Sequence, residues 1–324
     1  MTTKYLLPLA ALAAVAVGCE STNTVVASPE TQIESEAFSG WRTFLTADDV
    51  AAMLESGDDV VLVDARKPEE YVSSHLPGAI NLPGAALRTS KAKPGQGESQ
   101  YLFRTADGSL DVARYERLLG EVGIDEDDTV IVYGNHAGKT DGSIPAMILD
   151  ILGHEEVYFL DGTGPSEWAA TGRELVSGGE TREPTEYEAN PDADAIWDLD
   201  DVLAHVGDES VVFLDTRSPE EFAGDPATLE KRGNARGGHI PGAVLINYTD
   251  HLDGDKRTLA PAEIAKQFAD AGVEKDETVV LYCQTATRVS LPYLALKDLG
   301  YENVKVYDAS WHEYGNRDDT PIEQ

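Results

Sequence analysis

The chain has 324 residues, 41% hydrophobic and 26% charged, a length and mixture that suit two packed domains and exclude global disorder. Asp and Glu number 59 against 25 Lys and Arg, a formal net charge of −34, and the field of such a surface repels polyanions, so general affinity for nucleic acid or anionic membrane is excluded. Only two cysteines occur, Cys19 and Cys283, which excludes a disulfide framework.

Residues 1–19 hold Lys4, an apolar run from Tyr5 to Val17 and small residues leading into Cys19. A membrane span takes about 20 apolar residues; this run is shorter and has the three-part form of a secretory signal. Ala16-Val17-Gly18-Cys19 resembles a bacterial lipobox, whose cysteine is acylated and becomes the first mature residue. Cleavage to a soluble periplasmic protein is the alternative. Acylation at Cys19 would supply the membrane affinity that the acidic polypeptide lacks. Glu20, rather than the Asp that retains Gram-negative lipoproteins at the inner membrane, favours an outer-membrane, periplasm-facing location. Residues 20–40 are polar and Ser/Thr/Glu-rich, the composition of a flexible tether.

A first folded domain is expected over 41–173. It opens with a helical pattern at Ala47–Glu55, then an apolar run at 60–63, a helical pattern at Val112–Gly120 and a second apolar run at 130–133. Short continuous apolar runs are what strands buried on both faces look like. The loop Gly134 to Lys139 follows; its His136 reads as filler, with a ligand role left open. A connector over 174–195, rich in Gly, Pro and Glu, suits an exposed interdomain link. The second domain, 196–324, repeats the order: a helical pattern at Asp200–His205, a run at 211–214, helical patterns at Pro261–Ala271 and Val289–Gly300, and between them a run at 279–282.

The two domains are copies. Val60 through Tyr71 (VVLVDARKPEEY) matches Val211 through Phe222 (VVFLDTRSPEEF), His75-Leu76-Pro77-Gly78-Ala79 matches His239-Ile240-Pro241-Gly242-Ala243, and Thr129–Tyr133 matches Thr278–Tyr282. Gly153–Asp161 likewise parallels Gly300–Asp308. A repeat this long is a duplicated domain and not a solenoid unit. Strands alternating with helices imply an α/β fold class: two tandem domains, each a central, mostly parallel sheet with helices on both faces.

The repeated D-x-R-x-P-E-E-[YF] and H-[IL]-P-G-A segments, Cys283 directly after the strand Val279–Tyr282, and the closing run Tyr307–Asn316 followed by Thr320-Pro321 resemble the rhodanese (thiosulfate sulfurtransferase) family over residues 41–324. The resemblance implies two rhodanese-like domains, of which the second is catalytic. It also implies a small-molecule sulfur donor, a thiophilic acceptor such as cyanide or a thiol, and no cofactor. Aligning Tyr133 with Tyr282 sets Gly134 opposite Cys283, so the first domain lacks the nucleophile and is expected to be inert. No metal-ligand cluster is visible among the histidines and cysteines. Packing of the two copies about a pseudo-twofold would mimic a dimer, so a monomer is expected.

Cys283 leaves a buried strand and enters the loop Gln284-Thr285-Ala286-Thr287-Arg288, ahead of a helix. N–H groups at a helix start, the helix dipole and the Arg288 charge all favour a thiolate there and then a persulfide, with Gln284, Thr285, Ala286, Thr287 and Arg288 binding the substrate. The competing readings are a buried small hydrophobe and a phosphatase. Phosphatase loops space Cys and Arg by five residues, where four separate Cys283 from Arg288. The loop is similar to the C-Q-T-x-x-R form of bacterial rhodaneses, which favours thiosulfate over 3-mercaptopyruvate. Glu221 stands where animal two-domain enzymes carry a second Arg, which further disfavours a carboxylate donor. Lys231 and Arg236, in an insert over 223–238 absent from the first copy, are candidates for substitute charge. Asp215 and Arg217 (Asp64 and Arg66 in the first copy), His239 (His75) and Asp308 (Asp161) occur in both copies and read as structural supports. A non-enzymatic sulfane-sulfur carrier or interaction module in the envelope is the remaining alternative. The acidity itself reads as a solubility adaptation to a saline exterior.

Overall fold

The computed structural model describes residues 40–56, 59–87, 101–105, 108–136 and 140–324. The expected secretory segment with Cys19, the expected tether up to residue 39 and the tip 137–139 of the first-domain loop lie outside the described residues. Among the described residues, no helix is long and apolar enough to cross a membrane.

The first domain runs β1 (Phe44–Leu45), α1 (Ala47–Ser56), β2 (Val60–Asp64), α2 (Pro68–Ser73), β3 (Ile80–Asn81), α3 (Val112–Glu121), β4 (Thr129–Tyr133), α4 (Ser143–Ile151), β5 (Val157–Leu160) and α5 (Pro165–Ala170). The second runs β6 (Ile196–Trp197), α6 (Leu199–His205), β7 (Val211–Asp215), α7 (Pro219–Phe222), α8 (Pro226–Arg232), β8 (Val244–Leu245), α9 (Pro261–Asp270), β9 (Thr278–Tyr282), α10 (Ser290–Asp298), β10 (Val304–Tyr307) and α11 (Ser310–Tyr314). Each sheet is five-stranded, in the orders β1-β5-β4-β2-β3 and β6-β10-β9-β7-β8. Every pairing is parallel, and equivalent registers recur: Asp64 faces Tyr133 as Asp215 faces Tyr282. The duplication read from the sequence is therefore a duplication of register.

Strand alternation splits each apolar run between two cores. Leu62, Ile131 and Tyr133 face an outer core of the first domain, and Phe213, Val280 and Tyr282 an outer core of the second. Val61, Val63, Val130 and Val132 join Leu214, Val279 and Leu281 in one continuous inner core that crosses between the domains. Helices α4 and α10 lie at that crossing, with Ser143 and Ser290 hydroxyls 2.8 Å apart and Tyr293 donating to Asp150 at 2.7 Å. Two reciprocal clasps complete the junction. Asp308 at the end of β10 accepts N–H bonds from Leu102, Phe103 and Arg104 at 2.6, 3.0 and 3.0 Å. Its counterpart Asp161 accepts from the N–H and hydroxyl of Thr258, each at 2.9 Å.

The connector is exposed at most of its positions. Its one helical turn is a 3-10 helix at Ala193–Ala195, yet it is strapped to the first domain: Val176 pairs with His75, Thr185 N–H donates to Gly120 O at 3.0 Å, and Asn190 N–H to Leu152 O at 2.9 Å. A Cβ on Gly120 would lie 2.5 Å from Thr185 O, and one on Gly153 2.4 Å from Asn190 O, so these glycines are what let the strap lie close.

Candidate active site

β9 ends at Tyr282 and delivers Cys283 to the carboxyl edge of the parallel sheet, where the chain turns through residues 284–289 into α10. The thiol has no exposed surface. The turn is shaped by Ser310, the first residue of α11. Its hydroxyl accepts the N–H of Cys283 at 3.2 Å and of Ala286 at 3.0 Å, and donates to Tyr307 O at 2.9 Å. Trp311 and His312 donate backbone N–H bonds to the carbonyls of Cys283 and Gln284. Both Ala286 and Ser310 have positive φ, +52° and +56°, a conformation that costs a non-glycine residue about 1–2 kcal/mol and persists because these bonds enforce it. The N–H groups of Gln284, Thr287, Arg288 and Val289 donate to no other protein group among the described residues. A loop of largely buried, unpaired N–H donors beside a sulfur atom is a nest for an anion on that sulfur.

The charges around the nest are arranged in two tiers. Arg217 and Asp215 form a buried ion pair at 2.6 Å; the guanidinium also donates to Gly238 O and lies 4.3 Å from the centroid of the Trp311 ring. This pair braces the end of β7, as Arg66 and Asp64 do in the first domain. In front of it, Arg288 grips Glu221 through both terminal nitrogens, at 2.6 and 2.9 Å, and Arg232 reaches the same carboxylate at 3.1 Å. Burial alone would raise the Glu221 carboxyl; the two guanidiniums overrule it and hold it down at about 2. Burial would lower Arg288, but Glu221 and the Cys283 sulfur hold it above its ordinary value.

Of the residues singled out in the sequence, Cys283, Gln284, Thr285, Ala286, Thr287 and Arg288 form one turn. Gln284 is not aimed at solvent: it exchanges two amide hydrogen bonds with Asn234, at 3.0 and 2.7 Å. His239 stacks on Phe222 with ring centroids 3.6 Å apart, its Nδ1–H donating to Phe222 O, and its backbone pairs with Glu323. Asp308 sits at the domain junction and reaches the turn only through the short link to Ser310. In the insert, Arg236 donates to Tyr314 O and to Thr320, and Arg232 reaches the Glu221 carboxylate.

A model of the rhodanese-like domain matches residues 46–171 and again 198–317. The chain belongs to the rhodanese family. A thiosulfate sulfurtransferase of Azotobacter vinelandii is 32% identical over 273 residues, covering 83% of this chain and 92% of the relative. A Mycobacterium tuberculosis protein provisionally named thiosulfate sulfurtransferase is 34% identical over 258 residues, covering 78% and 87%. Among solved structures, an anaerobic ergothioneine biosynthesis enzyme from Chlorobium limicola superposes with a TM-score of 0.72 at 22% identity, over 87% of this chain and 70% of that one, a likeness of fold. The relatives' names support sulfurtransferase activity in general.

Within this rhodanese the first domain offers a comparison for the turn. Ser143 and Ser290 face each other across the pseudo-twofold, so Asp141 stands where the second domain has Arg288. Its carboxylate accepts the N–H groups of Asn135 and Gly142, both at 3.1 Å, and the Asn135 amide at 2.7 Å. A Cβ on Gly134 would fall 2.3 Å from Asp141 Oδ1. An internal carboxylate thus fills the space that belongs to Cys283 in the other copy. Sequence reasoning missed Ser310, Arg232 and Asn234 as members of the site and the pairing of Glu221 with Arg288 and Arg232; Asp141 was open to discovery from the aligned Ser-x-Pro pairs at 143–145 and 290–292.

Proposed function

We propose that the chain transfers sulfane sulfur from thiosulfate to a thiophilic acceptor through a persulfide on Cys283. The supporting observation is the contrast between the two turns: unpaired N–H donors and Arg288 around Cys283 in one, a resident Asp141 carboxylate in the other. In the first half-reaction the Cys283 thiolate attacks the outer sulfur of thiosulfate; a Cys–S bond to that sulfur forms, the donor's S–S bond breaks, and sulfite leaves with the electron pair. One negative charge stays on the persulfide and two depart with sulfite. In the second, cyanide or a thiolate attacks the outer sulfur and the Cys283 thiolate is released.

The N–H nest holds the persulfide anion, and Arg288 holds charge of opposite sign beside it without moving between the half-reactions, which is preorganised electrostatic stabilisation. Glu221 disfavours 3-mercaptopyruvate, whose carboxylate would meet a carboxylate. Ahead of the domains, acylation of Cys19 would hold the enzyme at the envelope, a claim that radiolabelled palmitate incorporation, lost in Cys19→Ala, tests. Thiocyanate formation from thiosulfate and cyanide, with parallel double-reciprocal plots and a Cys283 adduct one sulfur atom heavier by mass spectrometry, is expected for the wild type and absent in Cys283→Ser. Equal turnover in Cys283→Ser, or thiocyanate from 3-mercaptopyruvate but not from thiosulfate, would overturn the assignment.

A further inference from the structure

The catalytic turn is gripped by side chains at its first and last loop residues, and both grips lead back to the insert over 223–238 that the first domain lacks. At the start, Gln284 and Asn234 exchange two amide hydrogen bonds, at 3.0 and 2.7 Å. At the end, Arg288 is held by Glu221, and Glu221 is held in turn by Arg232 at 3.1 Å. Between 225 and 236 the insert has no buried residue, so its attachment is polar and it adds nothing to the core. Its helix α8 stops at Gly233, whose left-handed φ of +70° turns the chain towards the contact made by Asn234. Asn316, beyond α11, steadies that corner by accepting the N–H of Ala235 at 2.7 Å.

The first domain holds its turn in another way. The residue after Gly134 is Asn135, and its amide is held from within the turn, by the Asp141 carboxylate at 2.7 Å. That strut also accepts the N–H groups of Asn135 and Gly142, so it consumes donors of the turn it supports. Asn234 holds the corresponding side chain from outside, and the N–H of Gln284 keeps no protein partner. An external strut of neutral amides leaves the donors for the sulfur and brings no charge to the start of the turn.

We propose that Asn234 is a positioning residue for sulfur transfer: paired with Gln284, it fixes the start of the turn so that the unpaired N–H groups stay aimed at the outer sulfur of a Cys283 persulfide. The inference rests on the persulfide reading given above and extends it from the turn to the insert. Asn234 acts through Gln284 and not on the sulfur itself. Its contribution is orientation, since donors held in place stabilise an anion without having to reorganise around it.

The test reads the loading step, in which thiosulfate and the Cys283 thiolate give sulfite and the Cys283 persulfide. At fixed ratios of thiosulfate to sulfite, intact-mass spectrometry gives the fraction of chain that is one sulfur atom heavier. Asn234→Ala should lower the loading constant about tenfold, the scale of a reciprocal amide pair. Exchanging the two amides, Asn234→Gln with Gln284→Asn, should restore it to within about twofold of the wild type, whereas either change alone should not. Glu230→Gln, at an exposed position of the same insert, should match the wild type. An Asn234→Ala chain that is less stable in urea yet loads as the wild type does would overturn the proposal, because the pair would then serve the fold alone. So would an exchanged pair no better than its two single changes, a comparison that stands even where Asn234→Ala does not fold. A wild type that gains no sulfur from thiosulfate but gains it from a small thiol persulfide, with the same tenfold loss in Asn234→Ala, would instead overturn the thiosulfate reading and uphold the role of Asn234.

Discussion

Asp308→Ala severs one of the two clasps between the first domain and the second. Asp308 is wholly buried and accepts three backbone N–H bonds from residues 102–104. Burial pushes its carboxyl up to about 6 against the downward pull of those donors. Removing the side chain strands three N–H groups at about 2 kcal/mol each, and relieves a buried charge whose shift from about 3.9 to about 6 represents about 3 kcal/mol. The net expectation is a loss of about 3 kcal/mol at neutral pH. The sign of the pH dependence follows from the raised carboxyl: the folded wild type binds the extra proton, so the stability linked to Asp308 is complete below about pH 4 and is lost as pH rises through about 6. The gap between wild type and Asp308→Ala should therefore widen by about 1.4 kcal/mol between pH 7.5 and pH 5, read from urea denaturation at each pH. Because Asp308 and Ser310 are two residues apart on one rigid turn, turnover at pH 7.5 should fall as well. A gap that stays constant or narrows in acid would refute the argument, since every other titrating group cancels in the difference.

Glu221→Gln should cost about 3 kcal/mol at neutral pH, as one carboxylate between two guanidiniums is removed. Because that carboxyl is held at about 2 against an unfolded value of about 4.5, the stability it confers is complete above about pH 4.5 and lost on acidification through about pH 2. The variant should show a flatter acid limb in urea denaturation, and an unchanged limb would count against the clamp. Ser310→Ala leaves the N–H groups of Cys283 and Ala286 without an acceptor and should cost about 2 kcal/mol or more, with a fall of about tenfold or more in kcat; a fully active variant would mean that the hydroxyl does not shape the turn. Thiosulfate turnover should persist as salt is raised from about 0.1 M to about 1 M, because contacts of a few ångströms in a partly buried site are screened far less than the distant surface carboxylates. A steep loss would mean that long-range attraction governs capture.

What could be read in the sequence was whatever repeats at short range. The five helical patterns fall within two residues of α1, α3, α6, α9 and α10 at each end, and the apolar runs became strands, because amphipathic period and strand burial are local properties. Helix α4 escaped for a physical reason: SIPAMILDI is apolar at almost every position, so it has no periodic stripe, being enclosed by the sheet on one side and by α10 on the other. The short helices α2 and α7 follow D-x-R-x-P and were absorbed into turns, although Pro at their first position is a start signal. Glu221 looked like a loss of charge because its partners lie 11 and 67 residues away, and nothing near it announces them.

The two copies together show why one position controls the chemistry of the fold. Both present a turn at the carboxyl edge of a parallel sheet with backbone N–H donors that an anion can pair, and unpaired buried N–H groups are costly. In the first domain the chain supplies that anion as the Asp141 carboxylate, which accepts the N–H groups of Asn135 and Gly142. In the second, the equivalent residue is Arg288, the resident carboxylate is gone, and the sulfur of Cys283 occupies the space. Reversing the sign of one side chain thus moves the demand for negative charge from the protein to whatever is bound on the sulfur. The same logic bears on the acidity of the whole chain: the carboxylates on its surface cannot serve the nest, because only a charge formed within a few ångströms of those N–H groups satisfies them.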